Sequence, residues 1–198
     1  MPDVSSISAA EPPILLFSST GDWAAWLDAQ PRASKGAWLK IARKGSGQSG
    51  VTYEQALRTA LAFGWIDGQK RGLDDAFWLQ RFTPRKGRSI WSRRNRELAE
   101  ALIAGGEMRD AGRAAVEEAK ANGSWDRAYD SQRTAAVPDD LRAALQSDPA
   151  AAAFFESLDS GNRYAILFRL QNAVRPETRA RRLEQFVALL HRGQKIHP

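Results

Sequence analysis

The sequence predicts an α+β fold, mostly helical, with a small antiparallel sheet in the N-terminal half and an all-helical C-terminal part. Three observations carry this reading. Residues 37–43, 65–70 and 77–82 form short runs of strand character, in the order strand, helix, strand, strand. After residue 90 the apolar residues recur at helical spacing. With 198 residues, 43% hydrophobic and 26% charged, the composition suits one large domain or two small ones sharing a core.

The elements follow in order. Residues 1–13, ending Glu-Pro-Pro, read as a flexible tail. Ser19 or Thr20 caps a helix carrying Trp23, Trp26 and Leu27 on one stripe. Ala-Trp-Leu-Lys-Ile-Ala-Arg at 37–43 alternates as a strand, with Leu39 and Ile41 inward. Thr52 and Gln55 make a capping box for a helix that places Tyr53, Leu57 and Leu61 on one face and stops at Gly64. Residues 65–70 and 77–82 are joined by a turn around 72–75, and Pro84 ends the second strand. Ser89 or Ser92 caps the next helix, which ends at Gly105-Gly106; another follows and ends at Gly123. The polar stretch 124–138 divides a 14–136 α+β domain from a 137–198 helical segment expected to pack on it. In that segment Asp139, Asp148 with Pro149 behind it, and Ser160 cap successive helices, and Pro176 opens the last.

Several function classes fall away on composition. With no cysteine, disulfides, thiolate nucleophiles and cysteine metal sites are excluded. His191 and His197 are the only histidines and both lie near the C-terminus, so no histidine metal site or triad is expected in the body of the chain. No metal and no cofactor is expected. The N-terminal residues lack a basic export region and no apolar stretch is long enough to span a membrane, which makes the cytoplasm the expected address. Lys and Arg number 29 against 23 Asp and Glu, a net charge of +6 that favours anionic partners. Oligomeric state is not legible.

The unusual residues cluster between 63 and 95. Residues 81–96 hold seven basic side chains and no acidic one, interleaved with Ser89, Trp91, Ser92 and Asn95. Arginine forks, hydroxyls and backbone N–H groups at a helix start suit a phosphate or carboxylate, and Trp91 offers a stacking face. The bland alternative is a solvated basic loop leading into a capped helix, with Trp91 in the core. In Gly-Trp-Ile-Asp-Gly at 64–68, Asp67 sits in an apolar strand and needs a partner, which Arg85 or Arg88 can supply. That pair is either structural or the floor of a cleft walled by Trp65 and Trp91. The expected site therefore comprises Trp65, Asp67, Arg85, Lys86, Arg88, Ser89, Trp91, Ser92 and Asn95. The last two serines and Asn95 would share one face of a helix starting near residue 89.

Several motifs carry a resemblance. They are Trp-Leu-Lys-Ile-Ala at 38–42, Tyr-Glu-Gln-Ala-Leu at 53–57, Gly-Trp-Ile-Asp-Gly at 64–68, and Phe-Thr-Pro-Arg-Lys at 82–86. Further along come Ser89 with Trp91-Ser92 and Asn95, Ala-Lys-Ala-Asn-Gly at 119–123 before Trp125, and Glu-Thr-Arg-Ala-Arg-Arg at 177–182. Over about residues 17–198 the chain resembles the bacterial family labelled bacteriocin-protection or OmpD-associated proteins. The resemblance implies a fold and a link to envelope stress, but no established biochemistry. Its label suggests a porin partner, and the expected cytoplasmic address argues against direct contact. Where that family often carries a cysteine-containing segment, this chain has Ala62, so no thiol role transfers.

Two functional readings stand beside a third, bland one, a stress-associated scaffold whose basic face is only solvated. One is a stress-related binding module for an anionic ligand, phosphate-bearing or nucleic acid. The other is an enzyme acting on a small anionic metabolite, with Asp67 as acid or base and the 82–95 segment as anion holder. No nucleophile–base pair marks the second.

Overall fold

Ile14–Leu15 (β1) pairs in parallel with Ala37–Ala42 (β2), giving the sheet a short first edge. The computed structural model describes residues 11–197. Between the two strands runs Thr20–Asp28 (α1), and after them come Tyr53–Ala62 (α2), Trp65–Gly72 (β3) and Phe77–Pro84 (β4). The strand order is β1-β2-β4-β3, with β4 antiparallel to both neighbours. The three expected strands and the α+β class are present. The added β1 makes the sheet mixed rather than purely antiparallel, because Ile14 and Leu15 pair in parallel with Trp38 and Leu39 of β2.

The chain divides into two compact units. The first takes the chain up to Ser89 together with Glu97–Asn122, and the second takes Ile90–Arg96 and the chain from Gly123 on. The sequence boundary at residue 137 and the expected tail at 1–13 stand beside this division. Residues 1–10 of that tail lie outside the described residues. Of its remainder, the Pro13 carbonyl accepts from the Trp38 N–H at 2.8 Å.

In the first unit, pleating sends alternate side chains to opposite faces, and residues directly opposite across an antiparallel pair share a face. Ala37, Leu39 and Ile41 stand opposite Phe82, Gln80 and Trp78 and point inward. Trp38 stands opposite Arg81, Lys40 opposite Leu79, and Ala42 opposite Phe77, and these form the outward row. Helices α1 and α2 are bound together by Trp23, fully buried, whose indole N–H donates to the Ala56 carbonyl at 3.1 Å. Trp23 also meets Phe82 of the sheet at 5.4 Å between ring centroids.

Local chemistry explains the helix ends. Ser19 accepts from the Asp22 N–H, and Thr52 with Gln55 completes the capping box at α2. Gly64 then turns the chain with φ +75°, a left-handed value that glycine adopts without strain. A side chain there would also strike the backbone carbonyl of Ala111 in Asp110–Ala121 (α4), at 2.6 Å.

Arg93–Ala104 (α3) begins at Ser92, whose hydroxyl accepts from the Asn95 N–H at 3.1 Å. The helix expected near residue 89 therefore starts four positions later, since Ser92 has the local cap and Ser89 closes a turn of its own.

In the second unit, Asp139–Gln146 (α5), Pro149–Ser157 (α6), Ser160–Gln171 (α7) and Pro176–His191 (α8) enclose a core of Leu141, Phe155, Ile166, Leu170 and Leu190. Asp148 caps α6 as read. Asp159, not Ser160, caps α7, because its carboxylate accepts from the Asn162 N–H at 2.8 Å. Pro138 takes the cap position of α5, leaving Asp139 as its first helical residue. Among the described residues no named strand follows β4, and no helix is long and apolar enough to cross a membrane.

Candidate functional site

The nine expected site residues fall on both sides of the unit division. Trp65, Asp67, Arg85, Lys86, Arg88 and Ser89 belong to the first unit, and Trp91, Ser92 and Asn95 to the second.

In the first unit the hairpin controls the geometry. Trp65 pairs with Pro84, so the chain leaving β4 runs back beside the start of β3. The Arg85 N–H donates to the Gly64 carbonyl at 2.9 Å and fixes that return. Trp65, Gly64 and Arg85 then line one cavity of about 80 Å³, closed by Phe63, Pro84 and α4 and reached by Asp28, Gln30 and Arg32 from the end of α1. Its charged and amide-bearing lining residues are Arg32, Arg85, Asp28 and Gln30. Trp65 is buried, and the Trp26 ring stands edge-on to it at 5.6 Å.

Asp67 stands opposite Phe82 on the inward face, two residues from Trp65. Tyr53, on the first turn of α2, donates its hydroxyl to Asp67 Oδ2 at 2.7 Å. The sequence reading placed Tyr53 on a helix face and did not connect it with this carboxylate. Gln80 was missed for the same reason. Buried inward, it donates from Nε2 to the carbonyls of Gly68 and Gln69, and so supports the irregularity between Asp67 and Lys70.

The basic loop is ordered by its own hydrogen bonds. Ser89 Oγ accepts from the Lys86 N–H at 3.0 Å, and the Gly87 carbonyl accepts from Asn122 Nδ2 at 3.0 Å. Lys86 and Arg88 remain exposed.

In the second unit Trp91 is buried, edge-to-face with Trp125 at 4.8 Å. A bridge between Ser92 and Tyr129 fixes this segment, with the Tyr129 N–H donating to the Trp91 carbonyl and the Arg93 N–H to the Tyr129 carbonyl. Arg93 also pairs with Asp130 at 2.7 Å. Asn95 is buried.

A larger open groove of about 540 Å³ lies between α1, α2 and the end of α3. Its cations are engaged, Arg58 with Glu107 at 2.6 Å and Arg109 over the Phe63 ring. Among the described residues no cluster of acidic or histidine side chains is arranged to hold a metal ion.

Comparison with known proteins adds family but no chemistry. Residues 15–115 match the family model described as a domain of unknown function (DUF8412). Residues 134–193 match the model described as bacteriocin-protection, YdeI or OmpD-associated, which supports the resemblance seen in the motifs. No curated protein and no solved structure matches the chain.

Proposed function

The chain belongs to the DUF8412 family, and from that premise we propose that it is a binding module for a small phosphate-bearing anion held at the root of the β3–β4 hairpin. One observation carries the reading: Arg85 and Arg32 line the same cavity of about 80 Å³, beside the buried Trp65. Two arginines beside one small space suit an oxyanion, which accepts charge-assisted hydrogen bonds. The space admits one phosphoryl group, so the rest of such a ligand lies outside the cavity.

Asp28 at the rim opposes a second negative charge and tunes the site toward anions that also present a donor. Lys86 and Arg88, exposed just beyond Arg85, add a positive approach field that attracts the ligand and is screened by salt. The module is read as acting in the cytoplasm, which fractionation tests.

The direct measurement is a thermal-shift series with inorganic phosphate, sulfate and nucleoside monophosphates. A ligand at about a hundredfold over its Kd stabilises by about 2.7 kcal/mol, a shift of several degrees for a protein of this size. Phosphate is expected to raise the melting temperature of the wild type and not that of Arg85→Ala. An equal shift in both proteins, or none in the wild type with any of these anions, overturns the assignment.

A further inference from the structure

The outward row of the sheet combines rings and cations without a carboxylate. Across the register Lys40, Leu79 and Arg71 stand in one line, flanked by Trp38 with Arg81 on one side and Ala42 with Phe77 on the other. Arg71 reaches from β3 over the central strand, and its guanidinium lies 4.7 Å from the Trp38 ring centroid. The Arg81 guanidinium lies 5.6 Å from the same ring, and Lys40 Nζ lies 5.7 Å from the Phe77 ring. Asp67, the acid of β3, is turned to the other face by its place opposite Phe82.

Burial separates this row from the core aromatics. Trp23 and Trp65 are sealed at 0% and 3% exposure, whereas Trp38, Lys40, Arg81 and Phe77 are half-buried and Arg71 is exposed. Leu79, in register between Lys40 and Arg71, is fully buried, so the row has an apolar floor beneath charged heads. Partial burial pulls the Arg81 guanidinium below its ordinary pKa, and an arginine remains charged under such a shift.

We propose that this outward row binds single-stranded nucleic acid. Bases stack on Trp38 and Phe77, while Lys40 and Arg71 take phosphates and Arg81, held by the Lys35 carbonyl, backs the Trp38 ring. Charge complementarity alone would admit any polyanion. The rings select one with flat apolar faces, and a sheet face offers them only to bases that are not already stacked in a duplex. Trp38 and Phe77 are four register positions apart, about 13 Å along the strands, which leaves room for more than one nucleotide. None of these residues lines the Arg85 cavity, so the inference goes beyond the anion site and can fail separately.

The test is fluorescence anisotropy of a short labelled oligothymidylate, titrated with the full chain at several salt concentrations. Two phosphate contacts give a log–log salt slope of about −1.4. Trp38→Leu is expected to weaken binding about tenfold with little change in melting temperature. Lys40→Gln combined with Arg71→Gln removes both contacts and is expected to abolish most of that salt dependence. If Trp38→Leu does not fold, this surface double variant still decides the question. Arg85→Ala should leave oligonucleotide binding unchanged, and Trp38→Leu should leave the phosphate-induced melting shift unchanged. No binding at low salt overturns the proposal. So does equal affinity for a matched duplex or for heparin, or affinity and slope unchanged in both outward-row variants.

Discussion

The two units are held together by different chemistry. In the first, rings join end to end from Phe17 through Trp23 and Trp26 to Trp65, with Phe82 of the sheet against Trp23. Its surface ion pairs, such as Arg58 with Glu107 and Lys120 with Glu117, are well exposed and contribute little. The second unit encloses an aliphatic helical core and closes it with polar clasps. Arg179 grips Asp140 through Nε and Nη2 at 2.6 and 2.9 Å, and His191 Nδ1 lies 2.9 Å from Asp148. Buried Asn162 accepts the N–H groups of Ile196 and His197 on its side-chain oxygen. The contrast teaches that the first unit's ring chain contains no titrating group, while part of the second unit's stability depends on carboxylates staying ionised.

The largest expected effect breaks the ring chain. Trp23→Ala removes a fully buried indole together with the hydrogen bond it donates to the Ala56 carbonyl, at a cost of roughly 3–5 kcal/mol. Chemical denaturation should show that loss at pH 7 and again near pH 4; a loss confined to one pH would contradict the contrast. A smaller effect is expected at the close approach of α2 and α4. Gly64→Ala combines left-handed strain with a Cβ 2.6 Å from a backbone carbonyl, and should destabilise by roughly 1–3 kcal/mol. Wild-type stability in that variant would mean that α4 yields freely.

The smallest effect is also the one that depends on pH. Hydrogen bonding from Arg179 is the main cause holding the Asp140 carboxyl below its ordinary value. Because the folded value is depressed, the stabilisation is complete above the unfolded value of about 3.9 and is lost as pH falls through the folded value. Arg179→Met should therefore be less stable than wild type at pH 7, with the gap narrowing below about pH 4. The bond from Arg179 to the Leu170 carbonyl, 2.7 Å, leaves a residue of the gap that does not titrate. A gap constant from pH 7 down to about 2 would assign the whole effect to that bond and to packing.

What was legible in the sequence was local. The capping box at Thr52, the Asp148 cap with Pro149, and the alternation at residues 37–42 each express a rule acting within one turn or one strand. The proximity of Trp65 and Arg85 was legible too, because a hairpin brings its own ends together. Register was not. Nothing in the order of residues says that Trp38 stands opposite Arg81, or that Arg71 reaches it across β4. Hence the densest run of basic residues, 81–96, drew notice while the cation–ring row went unseen. Tyr53 was missed as the donor to Asp67 because helix and strand meet only in three dimensions. The two-residue β1 was too short to show a period, and Asp159 competed with Ser160 for a cap that a carboxylate filled.

The division of the chain has a temporal side. Residues 90–96 belong to the second unit, yet on the ribosome they emerge long before residues 123–198. At about 5–20 residues per second, Trp91 waits for seconds before Trp125 and Tyr129 follow, and longer before the α8 helix is complete. During that interval an indole destined for burial is exposed in a nascent chain whose first sheet has already been synthesised. A fragment begun at residue 123 would carry the complementary defect, with Trp125 and Tyr129 deprived of the short segment that covers and pairs with them. The second unit is thus a fold in two instalments, its first segment made well before the residues that cover it.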